Sequence, residues 1–155
     1  MKHPSFNQYG IEHHELLAPV VLAALRNLEK MEISNGKIKA AIKRGNKIPY
    51  GGCGSMGTCG ACVSAGISMA ILTDSNYLKN NERNLTLKAT ADSLLKLTEL
   101  GGPRCCKFST YAGILSVWDI AQNDLKFDLP ALEIKCAFKD KLKECHSDKC
   151  PYYGS

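Results

Sequence analysis

The stretch TCGACVSAGISMAILT, residues 58–73, decides the fold of this chain. Its residues are apolar or small nearly all the way round a helical projection, which is typical of a helix buried on every side. Gly60 and Gly66 strengthen this interpretation. A glycine in a helix interior costs roughly 1 kcal/mol relative to alanine, so it is expected where a neighbouring element packs closely. We therefore predict a buried central helix.

Four further segments show apolar residues at the three- and four-residue spacing of a helix. They are 11–30, 37–45, 81–99 and 103–123. The last opens with Pro103, since proline is favoured in the first turn of a helix. Between the second and the central helix, residues 49–57 read as a glycine-rich loop. Residues 131–135 (ALEIK) are consistent with one short strand.

These elements predict a mainly α fold: a compact bundle of about five helices with an irregular, cysteine-rich C-terminal tail. At this length the chain is expected to form a single domain, residues 1–155. Within it we distinguish a helical body, residues 1–130, from the tail, residues 131–155.

The composition bounds the location and the partners of the protein. No stretch reaches the roughly 18 consecutive apolar residues of a transmembrane helix, and the N-terminus lacks the apolar core of a signal peptide. We therefore expect a cytoplasmic protein without a membrane partner. The net charge of +5 comes from dispersed lysines, which favours a solvated surface over nucleic-acid binding. In a reducing cytosol, eight cysteines indicate metal binding or redox work more than disulfides.

Cys53, Cys59 and Cys62 form the first group of thiols. Cys59 and Cys62 make a C-x-x-C pair at the start of the predicted central helix, where free N–H groups and the helix dipole stabilise a thiolate. The glycines of the 49–57 loop would let backbone amides approach an anionic cofactor. The spacing fits either a metal-binding pair or a redox dithiol.

Cys105 and Cys106 form the second group, in the first turn of the predicted last helix. Adjacent residues point about 100° apart around a helix, so the two thiols should face different surroundings. We expect one to face the glycine-rich loop and Cys59. The other should serve a different site or pack as a small apolar side chain.

The tail carries the third group, Cys136, Cys145 and Cys150. Three cysteines within fifteen residues predict a metal staple that ties the tail to the body. The fourth ligand is either His146, in a Cys₃His zinc site, or a thiol from another group. Unligated thiols in a loose tail are the alternative. His13 and His14 are further candidate ligands, and a surface histidine pair explains them equally well.

Four motifs carry a resemblance to a known family. They are MKHPSFNQYGIEHHELLAPVVL (1–22), GGCGSMGTCGACVSAGI (51–67), GGPRCCK (101–107) and the closing C…C…CPYY (136–153). Together they resemble an uncharacterised cysteine-rich domain-of-unknown-function family of archaea and anaerobic bacteria. The resemblance implies a domain that stands alone or C-terminal to methyltransferase-like segments, and no established activity. The second motif is also faintly similar to a redox-active family named for its GCAxxG motif.

Three functions fit these observations. The first is a cysteine-ligated metal protein with an iron–sulfur cluster, which passes electrons or sulfur to a partner protein or modification enzyme. The second is a zinc-stapled interaction module without catalysis, and the third is a metal-free thiol oxidoreductase that uses Cys59 and Cys62. No serine–histidine–acid arrangement, P-loop or dinucleotide fingerprint is visible, so we assign no catalytic residue and leave open whether the protein is an enzyme. The sequence does not define its oligomeric state.

Overall fold

The computed structural model describes residues 9–139 and 141–154, and within them the regular structure is all helical. The six α-helices of this part of the chain are α1 Glu12–Asn27, α2 Asn35–Gly45, α3 Gly52–Ser55, α4 Gly60–Leu72, α5 Asn80–Leu100 and α6 Cys106–Asn123. A 3-10 turn, Ser147–Lys149, lies in the tail. The predicted mainly α bundle with an irregular cysteine-rich tail is confirmed. The short helix α3 lies inside the predicted glycine-rich loop.

Helix α4 lies at the centre, in contact with α1, α2, α5 and α6. Ten of its thirteen residues are buried, as predicted for a helix surrounded by others. Two glycines permit close approaches. A Cβ on Gly66 would collide with the Thr90 hydroxyl of α5, and a Cβ on Gly113 of α6 would lie 2.6 Å from a Leu17 methyl of α1. The glycines of α4 and α6 thus let the neighbouring helices pack directly against the backbone of these two helices.

Helix α1 continues through Pro19. Beside the proline, the buried Ala18 N–H donates to Ser64 Oγ of α4 (3.1 Å). This bond satisfies a buried donor where the proline ring disturbs the helical hydrogen-bond ladder. It also fixes α1 against α4. One turn earlier, the His14 ring lies against Gly60, the first residue of α4.

Helix α6 begins three residues later than predicted. Gly101 and Gly102 have φ values of +61° and +70°, so the chain turns sharply after α5 and Pro103 lies in the turn. Cys105 is the N-cap, with extended backbone, and Cys106 is the first helical residue. The prediction that Pro103 opens this helix was therefore wrong. Only the second cysteine of the pair lies in the first turn.

The tail packs against α5 and α6 through a second, smaller apolar cluster. Tyr152 is buried there, with its ring centroid 5.3 Å from that of Phe108 and 5.4 Å from that of Tyr111. The short strand considered for 131–135 is wrong, since no strand occurs in the described residues. This segment has no regular partner strand, and the next residue, Cys136, donates its N–H to the Tyr152 carbonyl (2.7 Å).

Within residues 9–139 and 141–154, no helix is long and apolar enough to cross a membrane. The MKHPSFNQ part of the first resemblance motif, residues 1–8, lies outside the described residues.

Candidate functional site

Two cavities lie beside the Cys105–Cys106 pair. The larger one, called the pocket below, has a volume of about 370 Å³. Its walls include the glycine-rich loop with α3, the start of α4 and residues 101–106. Three thiols that line it, Cys53, Cys59 and Cys106, are called the pocket cluster. They come from three separate segments of the chain.

Cys59 is the N-cap of α4 and is 9% exposed. A hydrogen bond from the Cys62 thiol is the largest cause that lowers the pKa of Cys59 to about 5, against the opposing effect of burial. The Ser109 hydroxyl and the amides at the start of α4 lower this pKa further. Because Ser109 Oγ also donates to the Cys105 carbonyl (3.1 Å), its single proton serves two acceptors in turn. The Cys62 thiol and the amides at the start of α4 are therefore the constant donors that lower the pKa of Cys59.

Cys62 lies behind Cys59, fully buried in the core and outside the pocket wall. Its hydrogen bond to Cys59 and its burial both raise the pKa of the Cys62 thiol. The C-x-x-C pair therefore consists of an outer thiolate and an inner thiol that donates to it. This division of roles is what a redox dithiol needs, and it also stabilises an anionic sulfur as a metal ligand.

Arg104 stands at the mouth of the pocket. Its guanidinium carbon lies 4.2 Å from the centroid of the Tyr9 ring and 5.8 Å from that of Tyr50. Burial raises the pKa of the Cys106 thiol, and the charge of Arg104 acts in the opposite direction. The exposed Cys53 lines the same pocket. Arg104 thus places a positive group at the pocket, while the Tyr9 hydroxyl beside it donates to the Glu144 carboxylate (2.6 Å).

His14 lines the pocket and is buried. A Cβ at Gly60 would collide with its ring, so the glycine makes room for this imidazole at the start of α4. In the described part of the chain, His14 Nδ1 has no hydrogen-bond partner. A buried imidazole nitrogen in this state is a candidate ligand.

His13, the neighbouring residue, faces a different environment. It is fully buried, and its Nδ1 lies 3.2 Å from the Gly10 carbonyl oxygen. Burial, followed by the charge of Lys107, lowers the pKa of His13 to about 4. The ring does not line the pocket. The two histidines are therefore both buried, and the alternative of a surface pair is wrong.

The smaller cavity, of about 20 Å³, lies between the start of α6 and the tail. Four thiols that line it are called the tail cluster: Cys105, Cys136, Cys145 and Cys150. Burial raises the pKa of Cys105, and the charges of Cys136 and Cys145 raise it further. The same causes raise the pKa of Cys150. The charges of the neighbouring thiols therefore reach Cys105 and Cys150 across this small cavity.

His146 lies between the two cavities and borders both. Its Nε2 is 2.6 Å from the Pro103 carbonyl oxygen, and its Nδ1 faces Gly102. Since a carbonyl only accepts, Nε2 carries the proton of that bond. The ring therefore braces the turn before α6, and only Nδ1, which lies against Gly102, keeps a lone pair.

The cysteine pair thus divides between two surroundings. Cys106 lines the pocket with Cys59, whereas Cys105 borders both cavities and joins the tail thiols. The sequence indicated positive charge at Lys107 but not its burial: it is 1% exposed and lines the smaller cavity. Sequence reasoning missed Ser109 and Tyr111, which contact thiols. Their positions directly after the cysteine pair were the available signal.

Among residues 9–139 and 141–154, no three Cys, His, Asp or Glu side chains stand in an arrangement that could hold a metal ion as placed. Either cluster would have to close around a metal by rotation of its thiol side chains, which have three staggered χ1 positions to choose from.

Fold and site together define an all-helical, cysteine-rich protein with one open and one closed thiol cluster. The chain belongs to a family of unknown function, DUF5714, whose sequence model matches residues 1–153. No curated protein and no solved structure matches the chain significantly.

Proposed function

We propose that the pocket cluster holds an iron–sulfur cluster and that the protein passes electrons or sulfur to a partner protein. One observation carries the proposal: Cys53, Cys59 and Cys106, from three separate segments, line one pocket of about 370 Å³. Cysteine thiolates are the usual ligands of iron–sulfur clusters. When bound, such a cluster supplies one-electron chemistry or a sulfur reservoir.

The surroundings of these thiols fit an anionic cluster in three respects. Cys59 and Cys106 lie at the N-termini of α4 and α6, where backbone N–H groups and the helix dipole favour negative charge. His14 Nδ1 is buried beside them without a hydrogen-bond partner in the described residues and can serve as a fourth ligand. Arg104 adds positive charge at the mouth.

The mouth of the pocket supports a protein as the reaction partner. Cys53 is exposed, and so are the large side chains of Tyr50 and Met56 on the same loop. An exposed ligand flanked by apolar side chains brings a redox centre to a surface on which another protein can dock. The resemblance to a family fused to methyltransferase-like segments supports a role in a modification pathway. The similarity to the GCAxxG family supports metal or redox chemistry.

A metal-free dithiol oxidoreductase is the second candidate, and the hydrogen bond from Cys62 to Cys59 favours it. The Cys59 thiolate would attack a partner's disulfide and release one partner thiolate, leaving a mixed disulfide. Cys62 would then attack Cys59 Sγ and pass its proton to the second partner sulfur, which leaves as a thiol. The partner gains two electrons, and Cys59 and Cys62 become a disulfide.

Anaerobic purification followed by iron and acid-labile sulfide analysis tests the first proposal. We expect brown protein with iron and sulfide, and loss of both in Cys59→Ser and Cys106→Ser. Cys145→Ser, in the tail cluster, is the matched control and should keep the iron. Wild-type protein that takes up no iron or sulfide, even after reconstitution with ferrous iron and sulfide, would overturn the proposal.

Cys62→Ser separates the two candidates. An iron–sulfur protein should keep most of its iron in this variant, because Cys62 lies outside the pocket wall. A dithiol oxidoreductase should lose its reversible two-electron disulfide completely, which thiol counting across a redox titration measures.

A further inference from the structure

The tail cluster differs from the pocket in the size of its cavity and in the donors around its sulfurs. Its four thiols surround a cavity of about 20 Å³. A space of roughly 10–15 Å³ already holds one water molecule, so this cavity has room for one ion. A multi-iron cluster needs more room, and the pocket provides it.

Each sulfur of the tail cluster receives a hydrogen bond. The Phe108 N–H donates to Cys105 Sγ (3.5 Å) and the Ser147 N–H donates to Cys145 Sγ (3.4 Å). The Tyr152 N–H points at the sulfur of Cys150 in the same way.

The fourth sulfur, that of Cys136, accepts from the Tyr111 hydroxyl. Donors aimed at sulfur stabilise a thiolate in preference to a thiol, and such outer contacts orient the ligands of metal sites.

Positive charge is buried beside these sulfurs. Lys107 lines the same cavity although it is only 1% exposed, and its Nζ lies 4.6 Å from the centroid of the Phe138 ring. Four thiolates around a divalent cation carry a net charge of −2, which a neighbouring ammonium group would stabilise.

We propose that Cys105, Cys136, Cys145 and Cys150 bind one zinc ion in a structural site separate from the pocket. Four thiolates in a closed, tetrahedral set are the common structural zinc site. Cys105 is preferred to His146 as the fourth ligand because the His146 nitrogen that keeps a lone pair, Nδ1, lies against Gly102 in the turn before α6. The ion would join α6 to both ends of the tail and so staple residues 136–150 to the body.

Metal analysis of variants tests the site. Wild-type protein that has been stripped with a chelator and reloaded should bind one zinc per chain that Cys136→Ser and Cys150→Ser lose. Cys53→Ser, at the mouth of the pocket, is the matched control and should keep it. Replacing zinc by Co²⁺ should give the charge-transfer absorption of a tetrahedral four-thiolate site. Full zinc content in Cys136→Ser, or a cobalt spectrum without four thiolates, would overturn the proposal.

Thiol footprinting of the wild-type protein covers the case in which a variant fails to fold. Added zinc should protect Cys105, Cys136, Cys145 and Cys150 from alkylation and leave Cys53 reactive. Protection of none of these four, or of a set that excludes Cys105, would contradict the assignment. The zinc result is independent of the iron result, since zinc at the tail without iron in the pocket would sink only the iron–sulfur proposal.

Discussion

The pocket cluster and the tail cluster place the same side chain in opposite surroundings. The pocket has a volume of about 370 Å³ and reaches the surface at the exposed Cys53. The tail cluster encloses about 20 Å³ beside the buried rings of Phe108 and Tyr111. An open site with spare volume can exchange electrons or atoms with a second molecule. A closed cavity of this size has no room for a second molecule, which fits the structural site proposed above.

The difference teaches that a count of cysteines is a poor guide to function. The donors around each sulfur say more. In the pocket, the strongest donor to Cys59 is another thiol, Cys62, which is itself able to react. In the tail, the donors to the sulfurs of Cys145 and Cys150 are backbone amides, which are chemically inert. A thiol donor, as in the pocket, suits a reactive site, and backbone donors, as in the tail, suit a structural site.

The largest expected effect tests whether the tail is packed on the helical body. Tyr152→Ala removes a buried ring that packs on Phe108 and Tyr111, and should cost about 3–5 kcal/mol of unfolding free energy. Tyr77→Ala is the matched control, because Tyr77 is 81% exposed, and should change it by less than about 0.5 kcal/mol. Urea denaturation of metal-free protein measures both. Equal costs would show that the tail is not packed on the body.

A second test concerns the pH dependence of stability where the two regions meet. His13 has a pKa of about 4 in the fold, lowered by burial and then by Lys107, against about 6.5 when unfolded. Between these values the unfolded chain binds more protons, so this contribution is fully present above about pH 6.5. It is lost as the pH falls to about 4, by up to roughly 3 kcal/mol.

In His13→Asn, the fall in stability across this pH window should be smaller by that amount, as measured by urea denaturation at a series of pH values. Parallel curves for wild type and variant would contradict the buried, neutral state of His13. A ring titration by NMR, with a midpoint near pH 4, supplies an independent reading.

A third test concerns the contact between Gly60 and the His14 ring in the pocket wall. Gly60→Ala would drive a Cβ into the His14 ring, and should cost about 1–3 kcal/mol through overpacking. Gly54→Ala is the control, since nothing lies within 4 Å of its Cβ position, and should be neutral or slightly stabilising. Thermal denaturation compares them. A neutral Gly60→Ala would mean that His14 is free to move away from α4.

The smallest expected effect is a change in ionisation. Cys62→Ala removes the strongest donor to Cys59 and should raise the pKa of Cys59 above its value of about 5. The rate of alkylation of Cys59 against pH, in metal-free protein, measures this. Cys145→Ala, in the tail cluster, should leave the curve unchanged. A curve shifted by Cys145→Ala and not by Cys62→Ala would contradict the assignment of Cys62 as the main donor to Cys59.

Most of the fold could be predicted from the sequence, because side-chain size determines how closely the helices of a bundle can pack. The small residues of 58–73 predict a buried helix, and α4 occupies residues 60–72 of that segment. The start of α6 could not be predicted in the same way. It depends on the backbone of Gly101 and Gly102, which adopt positive φ, and glycine permits this conformation without requiring it.

The types of residue in the candidate site could be predicted from the sequence. The division of the cysteines between two clusters could not. Sequence proximity places Cys105 with Cys106 and Cys59 with Cys62, but in space Cys105 joins the tail and Cys62 enters the core. Helix phase did not reveal this, because Cys105 is an N-cap with φ −133° and ψ 103°, outside the helical geometry. The burial of Lys107 was missed because a fully buried lysine is rare.

The position of His146 has a consequence for the order in which the protein is completed during synthesis. His146 borders the pocket and holds the Pro103 carbonyl, yet it is translated some forty residues after that proline. At about 5–20 residues per second, the ribosome would expose the pocket thiols seconds before the segment that braces their rim. During that interval the nascent chain would present Cys53, Cys59 and Cys106 in a wider opening. Loading of the iron–sulfur cluster that we propose would be easiest then, before the tail folds into place.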